Sequence, residues 1–120
     1  MNAFVYVMAA DNGEVKIGWS STPYARLSKV KAEYGPRRGF RDVRLVGFVP
    51  TPCFMQVESD TLRRLEAWAT GGEWFRLDPR EALRVVVAEA LSWESRVFLH
   101  QPRLEGRRWV SSPVAVRVRA

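Results

Sequence analysis

The sequence has few of the residues that bind zinc or form disulfides. Its 120 residues include one cysteine, Cys53, and one histidine, His100. A single cysteine excludes a disulfide within the chain and favours a reducing, cytoplasmic setting. The same shortage excludes a zinc site made of histidine and cysteine ligands.

Long hydrophobic runs are also missing. The run Phe4–Ala10 has seven residues, whereas a helix that crosses a membrane needs about 20. No basic residue precedes this run, so we expect neither a secretory signal peptide nor a membrane partner. The chain is 47% hydrophobic and 27% charged, as in a folded domain with one core.

Positive charge, by contrast, is plentiful and concentrated. Residues 96–120 contain six arginines, Arg119 among them, and one acid, Glu105. Residues 29–44 contain six cations against two acids. Such stretches attract nucleic acid, although a solubilising surface has the same composition. The candidate nucleic-acid contacts are Lys29, Lys31, Arg37, Arg38, Arg107 and Arg108.

The order of the predicted elements indicates an α+β domain. Strands are predicted at residues 3–9, 14–19 and 43–49, which would form a three-stranded antiparallel sheet. Helices are predicted from Pro23 to about Tyr34, from Pro52 to about Ala69, and from Pro79 to about Glu94. Residues 95–120 read as an irregular basic extension, with a possible edge strand at residues 114–119. We therefore divide the chain into a domain, 1–94, and an extension, 95–120.

The loop of the first hairpin decides which side chains share a face. A two-residue loop would place Tyr6 and Lys16 on opposite faces and would mix apolar with polar residues. A three-residue loop, with Gly13 in the left-handed conformation, gives one fully apolar face. Tyr6 and Lys16 then lie diagonally on the other, non-core face, and Gly18 opposite Tyr6 leaves room above the sheet. A solvated strand face remains the alternative.

Two further charged residues stand out. Glu58 falls on the apolar stripe of the second helix, where a carboxylate is costly unless a cation meets it. It could bind a metal ion or form a salt bridge with an arginine. Arg26 follows the second strand, on the first helix, and could reach the face that carries Tyr6. The alternative is an ordinary surface arginine.

These residues together resemble a known family. The sequence resembles the GIY-YIG nuclease superfamily, in a phage and bacterial branch whose second motif is KIG. The matching residues are Val5-Tyr6, then Lys16-Ile17-Gly18, Arg26, Glu58, and Gly72-Glu73-Trp74-Phe75. The resemblance covers about residues 4–77 and implies a three-stranded antiparallel sheet flanked by helices.

The resemblance also implies an activity, the metal-dependent hydrolysis of DNA phosphodiester bonds. In the family the tyrosine, here Tyr6, helps to activate water, and the arginine, here Arg26, holds the phosphate. The glutamate, here Glu58, binds Mg²⁺ or Mn²⁺. Lys16 stands where many relatives carry a second tyrosine, and could activate the Tyr6 phenol or hold a phosphate oxygen.

The chain departs from the family in the second helix. Relatives often place a histidine four residues after the glutamate and an aromatic residue three positions further on, and this chain has Leu62 and Leu65 there. Two alternative functions therefore remain open. The chain could be a catalytically silent module that binds nucleic acid, or an interaction domain whose basic extension contacts an acidic protein or a second copy of the chain.

Overall fold

The computed structural model describes residues 2–118, so Arg119 lies outside it. Within that part, three α-helices and nine strands alternate along the chain. The helices are α1 (Pro23–Arg38), α2 (Phe54–Arg64) and α3 (Pro79–Leu91). The strands are β1 (Ala3–Ala10), β2 (Val15–Ser20), β3 (Val43–Thr51), β4 (Ala69–Gly71), β5 (Trp74–Phe75), β6 (Arg96–His100), β7 (Arg103–Glu105), β8 (Arg108–Val110) and β9 (Pro113–Arg117). No helix of residues 2–118 is long and apolar enough to cross a membrane.

The predicted α+β class with an antiparallel sheet is confirmed. Seven strands form one sheet in the order β4-β5-β2-β1-β3-β6-β9. The three predicted strands are its centre, β2-β1-β3. Strands β4 and β5 extend it on one side, and β6 and the predicted edge strand, β9, extend it on the other. Strand β5 pairs with β2 at Val15 and Lys16. This pairing brings the segment Gly72–Phe75 next to the first hairpin.

The first hairpin has the predicted three-residue loop. Ala9 pairs with Val15 and Tyr6 with Gly18, and the Ala10 N–H donates to the Glu14 carbonyl over 2.8 Å. Gly13 has a φ of 89°, in the left-handed region that the loop requires. Tyr6 and Lys16 therefore lie on the same face of the sheet, as diagonal neighbours.

Both faces of the sheet are buried, so the expectation that Tyr6 lies on a non-core face is wrong. One core holds Val5, Val7 and Ile17 under α2 and α3. A second core holds Tyr6, Met8 and Trp74, and Val30 of α1 packs into it. The sequence concealed this core because α1 contributes few apolar side chains, and aromatic rings from the sheet fill the rest.

The expectation of an irregular segment after residue 94 is also wrong. Strand β6 joins β3, with Phe48 opposite His100, and β9 pairs with β6 at the edge of the sheet. The predicted edge strand is confirmed as β9. Between these strands, β7 and β8 form a separate hairpin. These strands are short and their exposed positions carry arginine, so the sequence shows no clear alternation of apolar and polar residues there. The domain boundary at residue 94 stays a prediction.

The helix ends differ from the prediction in two places. Helix α1 continues through Gly35 and Pro36 to Arg38 and ends at Gly39, whose φ of 74° makes a left-handed cap. Helix α2 stops at Arg64, and a 3₁₀ turn follows at Glu66–Trp68. The start of α3 is as predicted, since the Asp78 side chain accepts from the N–H of Arg80.

A buried carboxylate ties α1 to the sheet. Glu14, 5% exposed, accepts from Arg38 at 2.9 Å, from Asn12 at 2.8 Å, and from the hydroxyl of Thr70 on β4. Burial raises the pKa of Glu14, but the hydrogen bonds and the charge of Arg38 outweigh it and lower that pKa to about 2. The network therefore joins the first hairpin, the end of α1 and β4.

Because of this network, the free energy of unfolding depends on pH in the acid range. Because the pKa of Glu14 is lowered from 4.5 to about 2, its contribution is complete above about pH 4.5 and is lost as the pH falls towards 2. We expect Glu14→Gln to lower the free energy of unfolding by about 3 kcal/mol at pH 7, and the difference from wild type to shrink at pH 3. Urea unfolding at both pH values measures it. The control is Glu81→Gln, an exposed partner of Arg84; a difference that does not depend on pH would refute this account.

Candidate active site

The centre of the site is a buried ammonium group. Lys16 is 2% exposed. Its Nζ donates to the hydroxyl of Tyr6 over 3.3 Å and to a carboxylate oxygen of Glu73 over 2.7 Å. It also lies 5.8 Å from the ring centroid of Tyr34. A solvated strand face is therefore excluded for Tyr6 and Lys16.

The surroundings of Lys16 keep it charged. Burial lowers the pKa of the Lys16 ammonium, but Tyr6 and Glu73 act in the opposite direction and the net effect is a raised pKa. Glu73 is held in place by the sheet, because its carbonyl accepts from the N–H of Ile17 over 3.1 Å. The ion pair is thus set by strand pairing between β2 and β5.

Arg26 approaches the same tyrosine from α1. Its guanidinium is partly buried and lies 3.9 Å from Glu33. The pKa of Arg26 is raised, chiefly through its interaction with the Tyr6 hydroxyl. Arg26 therefore joins Tyr6 and Lys16, which the hairpin register placed together.

Glu58 lies on the opposite side of the sheet from Tyr6 and Lys16, and not on their face. Its helix, α2, packs on the Val5 face through Val57. Glu58 is half-buried and forms no ion pair within residues 2–118. Burial and the charge of Glu73 raise its pKa to about 7, against the opposing charge of Lys16. A salt bridge with an arginine does not account for this carboxylate.

A cleft opens beside these residues. Its volume is about 430 Å³, and its walls are Lys16, Arg26, Tyr34, Arg38, Gly71, Gly72, Glu73 and Trp74. The indole N–H of Trp74 is buried and has no hydrogen-bond partner within residues 2–118. The wall of the cleft thus carries three cationic side chains, two of which, Lys16 and Arg38, are paired with Glu73 and Glu14.

The sequence reasoning missed Tyr34 and one pairing, and it assigned Arg38 to a basic stretch and not to this cleft. Tyr34 and Arg38 continue a stripe that runs from Arg26 at a spacing of four, the spacing of one helix face, and this signal was available. The pairing of Glu73 with Lys16 joins residues 57 positions apart and left no local signal.

The residues Gly72 to Phe75 that the resemblance marked have separate positions. Gly72 has a φ of 58° at the turn between β4 and β5. Trp74 is buried in the core around Tyr6, and Phe75 is buried in the core around Val5. Glu73, between them, is partly exposed and holds Lys16.

The predicted nucleic-acid contacts are spread over the surface. Lys31 lies 3.5 Å from Asp42, Arg37 lies 3.9 Å from Glu33, and Lys29 is exposed. Arg38 forms a salt bridge with Glu14, and its guanidinium carbon lies 5.0 Å from the ring centroid of Trp74. It therefore already has structural partners. Arg107 and Arg108 are exposed on the β7–β8 hairpin, and their role in binding stays a prediction.

Comparison with known families decides where the chain belongs. The model of the T5orf172 domain matches residues 3–89, which include every residue of the cleft. The chain belongs to the T5orf172 domain family. This is a phage-associated domain of the GIY-YIG-like/HNH-type endonuclease group. No curated protein matches the chain, and no solved structure matches it.

The T5orf172 fold of this chain leaves no space for a side chain at residue 18. A Cβ at Gly18 would collide with the hydroxyl and ring of Tyr6. We expect Gly18→Ala to displace Tyr6 from Lys16 and to lower the free energy of unfolding by about 1–3 kcal/mol. The same change in a Tyr6→Leu background should cost less. Urea unfolding of the four proteins measures the coupling, and equal costs in both backgrounds would contradict a contact between these residues.

Glu58 gives a second effect of pH on stability, opposite in sign to that of Glu14. Because its pKa rises from 4.5 to about 7 on folding, the folded state binds more protons and stability falls as the pH rises between these values. Glu58→Gln should therefore be more stable than wild type by about 1–2 kcal/mol at pH 8, since solvent screens part of the effect, and equal to it at pH 4. Thermal unfolding without divalent cations measures this, with the exposed Glu66 changed to glutamine as control. A loss of stability at pH 8 would show that Glu58 has a cationic partner.

Proposed function

We propose that this protein is a small metal-dependent endonuclease of the GIY-YIG type that hydrolyses phosphodiester bonds in DNA. The observation that carries the proposal is that Lys16 and Arg26, which both interact with the buried Tyr6 hydroxyl, lie at the wall of one cleft. Glu58 adds a carboxylate that has no ion pair within residues 2–118 and whose charge interacts with Glu73 and Lys16. Membership of the T5orf172 family supports the same class of activity.

The charges of the cleft suit a phosphodiester. Attack by water forms one P–O bond and breaks the bond to the leaving sugar oxygen, and negative charge grows on the phosphate oxygens. Arg26 at the cleft wall stabilises that charge, and a fixed guanidinium does so without reorganising.

Tyr6 is the group proposed to take a proton from the attacking water. Only the phenolate form of Tyr6 can accept that proton, and Lys16 and Arg26, which both interact with its oxygen, stabilise this anion. The transfer returns Tyr6 to the neutral phenol, and the hydroxide formed from the water attacks the phosphorus. Lys16 serves here in place of the second tyrosine of other family members. Gly18 supports this role because it leaves the ring its space.

Glu58 is the residue proposed to hold Mg²⁺ or Mn²⁺. Residues 2–118 contain no cluster of three or more potential His, Cys, Asp or Glu ligands. The fit is nonetheless good, because Mg²⁺ is commonly held by one or two carboxylates together with substrate phosphates and water. A bound divalent ion would supply positive charge at the phosphate, and would keep Glu58 ionised at neutral pH.

One observation favours a second candidate, a DNA-binding module without catalysis. Glu73 neutralises Lys16 at 2.7 Å, and this pairing reduces the positive charge that the cleft offers to a phosphate. Leu62 in place of the family histidine points the same way. A DNA cleavage assay separates the two candidates.

The test is a cleavage assay on single-stranded, double-stranded and branched DNA with and without Mn²⁺. We expect wild type to cleave at least one form only with the metal ion. Glu58→Gln and Arg26→Ala should each reduce the rate by about 100-fold or more, with DNA binding by Glu58→Gln retained. Arg63→Ala, on the exposed face of α2, is the control and should match wild type. Binding without cleavage of any form would leave the DNA-binding module.

A further inference from the structure

A second groove lies on the other side of α1, away from the catalytic cleft. Its floor is formed by Val43 and Leu45 of β3, and its volume is about 290 Å³. Tyr24 of α1 and Trp109 of the β7–β8 hairpin both line it. This volume is near the lower end of small-molecule pockets, about 300 Å³, and suits one flat ring system rather than a helix or a strand.

Both aromatic rings of the groove are open to solvent. Trp109 is 54% exposed and Tyr24 is 37% exposed. The Tyr24 ring is fixed by an edge contact with Phe48, at 5.8 Å between centroids. On the hairpin, Leu104 pairs directly with Trp109 and is also exposed. Two exposed aromatic side chains on one groove are unusual for a surface that binds nothing.

Positive charge surrounds the groove. Lys31 and Arg44 line it, together with one acid, Asp42. The turn of the β7–β8 hairpin adds Arg107 and Arg108, which form no ion pair within residues 2–118. Aromatic rings beside cations are the combination that binds single-stranded nucleic acid, since rings stack on bases and cations hold phosphates.

We propose that this groove binds an unpaired base of single-stranded DNA, stacked on Trp109, while Arg107, Arg108 and Arg44 hold the flanking phosphates. The inference rests on the proposed function, because its ligand is the DNA that the cleft cleaves. Bases of an intact duplex are stacked on one another and cannot enter the groove. The β7–β8 hairpin therefore directs the enzyme to single-stranded or branched DNA.

The position of the groove fits a path to the cleft. Tyr24 and Arg26 lie in the first turn of α1, and two residues along a helix are about 200° apart around its axis. Tyr24 and Arg26 thus point to different sides of α1, Tyr24 towards the groove and Arg26 towards the cleft. A strand held by its base at Trp109 passes the N-terminus of α1 before its backbone reaches Arg26.

The test measures DNA binding by Glu58→Gln protein without divalent cations, so that no cleavage occurs. The probes are a fluorescein-labelled oligothymidylate of about 12 nucleotides and the duplex of the same strand. Adding Trp109→Ala should weaken single-strand binding by about 10-fold and leave duplex binding unchanged. Trp109→Phe, which keeps a stacking ring, should restore most of the affinity. The control Trp93→Ala removes a tryptophan of similar exposure, 50%, on the α3 side.

The salt dependence separates stacking from charge. Trp109→Ala should leave the slope of log affinity against log salt unchanged, whereas Arg107→Ala with Arg108→Ala should flatten it by about 0.7 for each phosphate of the single strand that is no longer neutralised. Equal weakening of both DNA forms, or none, by Trp109→Ala would overturn the inference and leave the nuclease proposal intact. If light scattering shows that wild type is a dimer and that Trp109→Ala is a monomer, the groove instead binds a second copy of the chain. Selective single-strand binding by an inactive wild type would overturn the nuclease proposal and keep this one.

Discussion

The rest of the site depends on the burial of one ammonium group. Lys16 lies in the interior of the sheet, where an unpaired charge costs several kcal/mol. Glu73 and the Tyr6 hydroxyl compensate that cost. The hairpin of β1 and β2 supplies Tyr6, whereas Glu73 is in place only when β5 lies beside β2. The position of β5 fixes the turn at Gly72 and the wall of the cleft. At the other end of this region, Glu14 and Arg38 hold α1 against β4.

The carboxylate of Glu73 interacts with two charged side chains, Lys16 and Glu58. It stabilises the cation of Lys16 and at the same time raises the pKa of Glu58. A positive ion at Glu58 would relieve that repulsion, so the arrangement favours cation binding more than it favours an empty pair of carboxylates. The apo protein carries the electrostatic cost of this arrangement, as functional sites commonly do.

The sequence predicts well those features that depend on residues close together in the chain. The Gly13 turn and the alternation of Val5, Val7 and Ile17 give the hairpin register, and the register puts Tyr6 beside Lys16. The roles of these residues remain proposals that came from a family resemblance. The sequence did not predict that Tyr6 is buried, because α1 covers it with few apolar residues. It also did not indicate β6, β7 and β8, whose short strands carry arginine at exposed positions, or the partner of Lys16, which tertiary pairing supplies.

The most direct test of the central claim is an NMR titration of the Lys16 side chain in wild-type protein, with Lys16→Met used for the assignment. If the buried lysine is held as a cation by Tyr6 and Glu73, its pKa lies above the usual 10.5, and Glu73→Gln lowers it. A Lys16 that loses its proton below pH 9, against an ordinary value of about 10.4, would contradict the account, because the site would then contain a neutral amine and no buried ion pair.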